Sequence, residues 1–213
     1  MTDDIAARLP SPPELERRCI ALATLDAVLS PDWQFRYYSF NRRWSPTTGT
    51  RMGSMRNGSG DDYFIEFFPD GAAALKGFDH ESPARAGAAS VAGVLDGLPA
   101  RFAEFAKEPA FSMQRTTFCL WNEGAAWQRS RTVSAANVAR DGSAELLALL
   151  AGAPADYAKF AREYYEIPVA EAAVARFYAL EPLTPALASA LHADADLDAI
   201  AGDIDQIGYP VAQ

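Results

Sequence analysis

The chain has only two cysteines and two histidines in 213 residues. Cys19 and Cys119 are far apart and so are His80 and His192, so no pair stands at the spacing of a structural zinc site, and two cysteines allow one ordinary disulfide as the less favoured alternative but no disulfide framework. The expectation is two buried thiols in a reducing compartment, no metal and no cofactor. Long apolar runs are also missing. Nothing approaches the length of apolar residues that crosses a bilayer, and the opening MTDDIAARLPSPPELERR has no apolar stretch behind a basic start, which points to a cytoplasmic protein with no membrane contact. Internal repeats and low-complexity linkers are absent. Phosphate-binding and nucleophile motifs are absent too. Arg56-Asn57-Gly58-Ser59-Gly60 lacks the Lys-Ser/Thr of a P-loop, and it lacks the helix that must follow a nucleophile elbow.

What is present is ordinary globular composition: 49% hydrophobic and 22% charged residues rule out a disordered chain. A chain of this length buries about 70% of its unfolded surface, so its core needs no covalent staples. The net charge of −9 is unevenly placed. Residues 141–213 hold 3 Lys+Arg against 12 Asp+Glu, while residues 1–140 hold 16 of each. An acidic surface disfavours nucleic acid and steers towards basic partners.

The stretch RMGSMRNGSGDDYFIEFFPDGAAALKGFDHES, residues 51–82, organises the rest. Asn57 to Asp61 and Pro69-Asp70-Gly71 are turn chemistry, and Tyr63 to Phe68 between them is aromatic and β-rich, which predicts an antiparallel meander. Upstream, Ser11-Pro12-Pro13-Glu14 reads as a capping box that opens a helix, with Leu15, Cys19, Leu22, Leu25 or Asp26, and Leu29 on its apolar period. Trp33 to Trp44 reads as one strand. At period two, Trp33, Phe35, Tyr37, Ser39, Asn41 and Arg43 share a face; Gln34, Arg36, Tyr38, Phe40, Arg42 and Trp44 share the other. Residues 84–93 read as loop with at most a helical turn, and Leu98 to Ala106 as a short helix presenting Leu98, Phe102 and Phe105. Phe111 to Trp121 reads as a strand, with Ala126 to Arg131 pairing across Asn122-Glu123-Gly124. From Ser143 onward prolines punctuate helices. The fold class is therefore α+β: a five- or six-stranded antiparallel meander, an N-terminal helix and a helical C-terminal third. The division falls near residue 140, with 1–140 as the sheet region and 141–213 as an acidic helical region packed on it.

Candidate chemistry gathers at two places. Asp79-His80-Glu81-Ser82 sets a histidine between carboxylates where a strand ends, which suits acid-base work on an anionic small molecule with Arg56 as anchor. Strand alternation points His80 away from Asp79 and Glu81, so adjacent residues cannot form a triad and a partner must come from elsewhere. The second place is a set of arginines and aromatics that suits protein recognition, with Arg56, Asn57, Trp44, Arg43 and Tyr38 as the binding residues. Arg36, Arg42, Arg43, Arg51 and Arg56 beside Trp33, Tyr37, Tyr38 and Trp44 imitate a single-strand nucleic-acid platform, but the first region is neutral overall, and pairing with the acidic tail or a protein explains them better. Asp194, Asp196, Asp198 and Asp205 imitate a calcium loop, but Ala199 replaces the required glycine and Asp205 the required glutamate.

MRNGSGD, KGFDHES and TTFC, at Met55–Asp61, Lys76–Ser82 and Thr116–Cys119, together resemble a family of bacterial proteins to which no activity attaches, over about residues 33–128. That resemblance implies no catalytic residue. In style, an acidic α+β chain without an evident active site is also similar to the immunity proteins of bacterial toxin systems. The expected function is a non-catalytic binding protein acting through protein contact, with the acidic tail favouring a basic partner.

Overall fold

A computed structural model describes residues 4–85 and 88–212. The meander is the centre of a five-stranded sheet built from β1 (Tyr38–Ser45), β2 (Thr50–Arg56), β3 (Asp62–Phe67), β4 (Ala73–Phe78) and β5 (Phe118–Asn122). The strands lie in chain order and every neighbouring pair is antiparallel. The turn from β2 to β3 forms because the Asn57 side-chain oxygen accepts the N–H groups of Ser59 and Asp61, and Gly58 takes φ +74°.

The helices are α1 (Pro12–Leu29), α2 (Ala88–Leu95), α3 (Ala135–Val138), α4 (Ser143–Leu146), α5 (Ala148–Ala151), α6 (Pro154–Tyr164), α7 (Glu171–Tyr178), α8 (Pro185–Leu191) and α9 (Ala201–Ile207). The architecture is α+β, with the N-terminal helix and the C-terminal helices on one face of the sheet. Tyr38, Phe40, Tyr63, Ile65, Leu75 and Leu120 point to that face and join one core with Leu22, Leu25, Tyr157, Phe177 and Ile204. The opposite face carries Met52, Phe64, Ala74, Cys119 and Trp121, covered by Phe102, Phe105 and Phe111. Burial on both sides explains why β4, Ala-Ala-Leu-Lys-Gly-Phe, is buried at all six positions. Its one charge, Lys76, reaches Asp62 at 2.5 Å and the Arg115 carbonyl at 3.2 Å. Burial lowers the affinity of that amine for its proton, and Asp62 opposes the shift.

Several local expectations need correction. Ser11 stands at the N-cap of α1 without a side-chain capping bond. Glu14 instead turns along the helix, 3.7 Å from Arg17 and 3.8 Å from Arg18. Trp33–Phe35 is a 3-10 turn, not the start of a strand, because Asp32 caps it through the Gln34 amide. Leu98 to Ala106 gives two 3-10 turns, Ala100–Phe102 and Phe105–Lys107. Phe111 belongs to a further 3-10 turn, so β5 is shorter than expected, and the expected sixth strand contributes a single bridge, Gln128 to Trp121. Where loop was expected at 84–93, α2 begins at Ala88; Ala86 and Gly87 lie outside the described residues.

The register of β1 also breaks between Asn41 and Ser45. Four residues of β1 advance there while β2 advances two, so the strand carries two extra residues and its strict alternation is interrupted between those positions. Tyr38 and Phe40 therefore face the helices while Trp44 packs on the opposite side of the sheet.

Both cysteines are free and buried. Burial pushes the Cys119 thiol up to about 12 and raises Cys19 as well, so neither is a nucleophile in the folded protein. No helix among the described residues is long and apolar enough to cross a membrane.

Candidate functional site

The β2–β3 turn and the end of β4 bring the sequence-predicted histidine to a carboxylate. His80 presents its backbone N–H to Asp61 Oδ1 at 2.8 Å, and its ring Nδ1 lies 2.6 Å from the same oxygen. The Asn57 amide donates to Asp61 Oδ2 at 2.6 Å, so Asn57 orients the carboxylate that orients the imidazole. The orienting group is thus Asp61, from the neighbouring turn, and not Asp79 or Glu81. Asp79 accepts the Glu81 N–H at 2.8 Å and donates its own N–H to Thr117 at 3.1 Å, and Glu81 lies 3.9 Å from His80 Nε2.

The Asp61 contact raises the pKa of His80. Burial alone would raise Asp61, but the His80 backbone and ring and the Asn57 amide outweigh it and lower the carboxylate. Because a histidine raised in the folded state adds stability below its unfolded pKa and loses it as pH climbs through the folded one, this contact favours the fold on the acidic side. In a carbon-bound proton NMR titration, the His80 midpoint is expected to lie above the ordinary imidazole value near 6.5 and to fall in Asp61→Asn. An unmoved midpoint would show that Asp61 leaves the ring's proton affinity untouched.

Beside this corner stands a cluster of exposed aromatics. Trp33 and Phe35 are each 56% exposed and Tyr164, at the end of α6, is 39% exposed. These are three of the four large hydrophobics exposed among the described residues, and they are neighbours. The Tyr164 hydroxyl donates to the Phe35 carbonyl at 3.1 Å. The Tyr164 ring stacks on Phe160 at 5.6 Å and meets the edge of Tyr37 at 4.4 Å. Arg56 lies 5.8 Å over the Trp33 ring and 5.2 Å over Phe64. A hollow of about 200 Å³ opens between Trp33, Tyr37, Arg56 and Gly58.

The 3-10 turn that carries the aromatics is pinned. Arg36 donates to the carbonyls of Ser30 and Pro31 at 2.7 and 2.5 Å and to Asp203 at 2.9 Å. A rigid anchor loses little freedom on binding.

Of the sequence-predicted binding residues, Arg56 stands in this cluster and Asn57 borders it. Tyr38 is in the core. Arg43 and Arg42 reach Asp205 at 2.6 and 2.5 Å, and Trp44 lies at the far end on the other face. Trp33, Phe35 and Tyr164 had no place in the predicted set. The first two stood in the expected strand, where Asp32 after Ser30-Pro31 was the available sign of a capped turn; Tyr164 gave no signal, because nothing in an amphipathic helix says which aromatic its end will leave uncovered.

Asp61, Asp79 and His80 place one ligand atom each within 4.8 Å of one another. Each of the two carboxylates already accepts hydrogen bonds from protein, at Asp61 from three donors and at Asp79 from the Glu81 amide. Two aspartates of the calcium-like run are engaged by protein groups. Asp196 accepts the N–H groups of Asp198 and Ala199, and Asp205 pairs with the arginines of β1. No protein-family model, no curated protein and no solved structure matches the chain.

Proposed function

We propose that this is a non-catalytic binding protein whose contact surface is the pinned turn Trp33–Phe35 with Tyr164 and Arg56. The observation that carries this reading is the gathering of exposed tryptophan, phenylalanine and tyrosine around an arginine, on a rigid support. Tryptophan, tyrosine and arginine are the residues over-represented among binding hot spots. Charge supports a basic protein as the partner. Two carboxylates of the last third are neutralised by Arg36, Arg42 and Arg43, yet Glu163 and Glu166 stand exposed on either side of Tyr164 and the chain as a whole carries −9. An immunity-type inhibitor, which masks a basic face of a toxin, is the narrower form of the same reading.

The test is site-specific photo-crosslinking in the native cell. A photoreactive phenylalanine analogue at position 33 is expected to give one discrete protein adduct, and the same analogue at exposed position 123 none. Identical adducts at both positions, or none at 33, would overturn the assignment.

A second reading rests on the oriented imidazole. Asp61 holds Nδ1, which leaves Nε2 as the basic nitrogen of the neutral ring, the arrangement of a general base. The hollow lined by Arg56 does not include His80, so the anion anchor and the base do not share it. A His80→Gln variant separates the readings: it leaves crosslinking at position 33 unchanged in the first and abolishes function in the second.

A further inference from the structure

The opposite end of the sheet holds an open cavity of about 420 Å³, within the size range of small-molecule sites. Its most buried acidic group is Glu66 on β3, 8% exposed. Burial, reinforced by Glu108 and opposed by the nearby Thr50 hydroxyl, raises the pKa of this carboxylate. Trp44 and Phe68 supply aromatic wall. Trp44 reaches this side because of the β1 bulge, and it is held by stacking on Phe111 at 5.7 Å.

The charges lining the cavity do not balance. Arg101 is engaged by Asp70 across the rim, and Lys107 by Glu104 at 3.2 Å. Among the described residues neither Glu66 nor Glu108 has an ion-pair partner; the Glu108 carboxylate accepts the Ala110 N–H, at 3.0 Å. A carboxylate removed from water without a cation is costly, so a ligand that brings positive charge gains there. A hard inorganic ion wants six or more oxygens and gains nothing from two rings, whereas an ammonium group is attracted to both the carboxylate and the aromatic faces.

We propose that this cavity binds a small aliphatic amine, its ammonium group at Glu66 and its carbon chain against Trp44 and Phe68. The site lies at the other end of the sheet from the aromatic patch and stands or falls independently of it.

The probe is 1,4-diaminobutane, titrated by calorimetry and by tryptophan fluorescence, with 1,4-butanediol as a neutral control of equal length. Saturable binding of the diamine and none of the diol is expected, with affinity at least tenfold weaker in Glu66→Gln and in Trp44→Leu. No saturation at millimolar diamine, equal binding of the diol, tighter binding of magnesium, or unchanged affinity in Glu66→Gln would overturn the proposal. Circular dichroism checks that each variant folds. Should Glu66→Gln not fold, Glu108→Gln replaces it with at least a threefold loss expected, and an unchanged affinity there overturns the proposal equally.

Discussion

Asp26→Ala is expected to destabilise the protein by roughly 3–5 kcal/mol, the loss associated with removing one member of a buried charged network. Asp26 is fully buried in α1. Its Oδ2 accepts the N–H groups of Tyr37 and Tyr38, each at 2.8 Å, and its Oδ1 accepts the Tyr157 hydroxyl at 2.6 Å. One carboxylate thus ties α1 to the entry of β1, directly after the turn that carries Trp33 and Phe35, and to α6, which ends in Tyr164. Alanine would leave all three donors buried without a partner. The effect also depends on pH. Burial raises Asp26 to about 6, against which the tyrosine hydroxyl and the two backbone N–H groups act only in part. A carboxyl with a raised folded pKa gives stability that is present below about 4 and lost as pH rises through about 6. The advantage of wild type over Asp26→Asn should therefore narrow by about 3 kcal/mol between pH 4 and pH 7, the free energy of a shift of about two pKa units. Urea unfolding of both proteins at the two pH values measures it, and comparison with the variant cancels the other titrating groups. A gap that widens towards pH 7 would contradict the assignment.

Gly77→Ala is expected to cost about 3 kcal/mol, at the upper end for overpacking a filled core. Gly77 in β4 pairs with Phe118 in β5, and a Cβ there would stand 2.0 Å from the Phe118 ring. That ring is itself buried and has nowhere to move. The Gly77 carbonyl also accepts the Thr117 N–H at 2.8 Å, two residues before the corner that presents His80. A fall in melting temperature of about 6–12 °C follows for a domain of this size. Gly58→Ala is the control: it has positive φ but open space around it, so only the backbone term of about 1 kcal/mol applies. Equal losses in the two variants would show that the Phe118 clash is not the cause.

The sheet was legible because the strands between residues 50 and 78 are separated by turn chemistry and Tyr63 to Phe68 between the turns is aromatic and β-rich. Its site was less so. Asp61 was visible only as a turn residue, and its contact with His80 spans 19 positions that no local pattern connects. The helical period placed Asp26 beside Leu25 as an alternative, but a carboxylate on an apolar stripe does not reveal which distant donors will justify it. Trp44 moved to the other face through one bulge, which no residue type announced. Of the early arginines read as partners of the acidic tail or of a protein, Arg36, Arg42 and Arg43 meet the tail, whereas Arg51 turns to Glu16 on α1. Which arginine meets which aspartate depended on where α9 docks.

The most direct test of the central claim, that the turn at 33–35 with Arg56 anchors a basic protein partner, is the affinity of the crosslinked partner once purified. Wild type, Trp33→Ala and Arg56→Ala are compared at low and high salt. Loss of a hot-spot anchor costs about 2 kcal/mol or more, so Trp33→Ala should weaken binding about thirtyfold, and wild-type affinity should fall as salt rises. An affinity that is flat with salt and untouched by either substitution would contradict the claim.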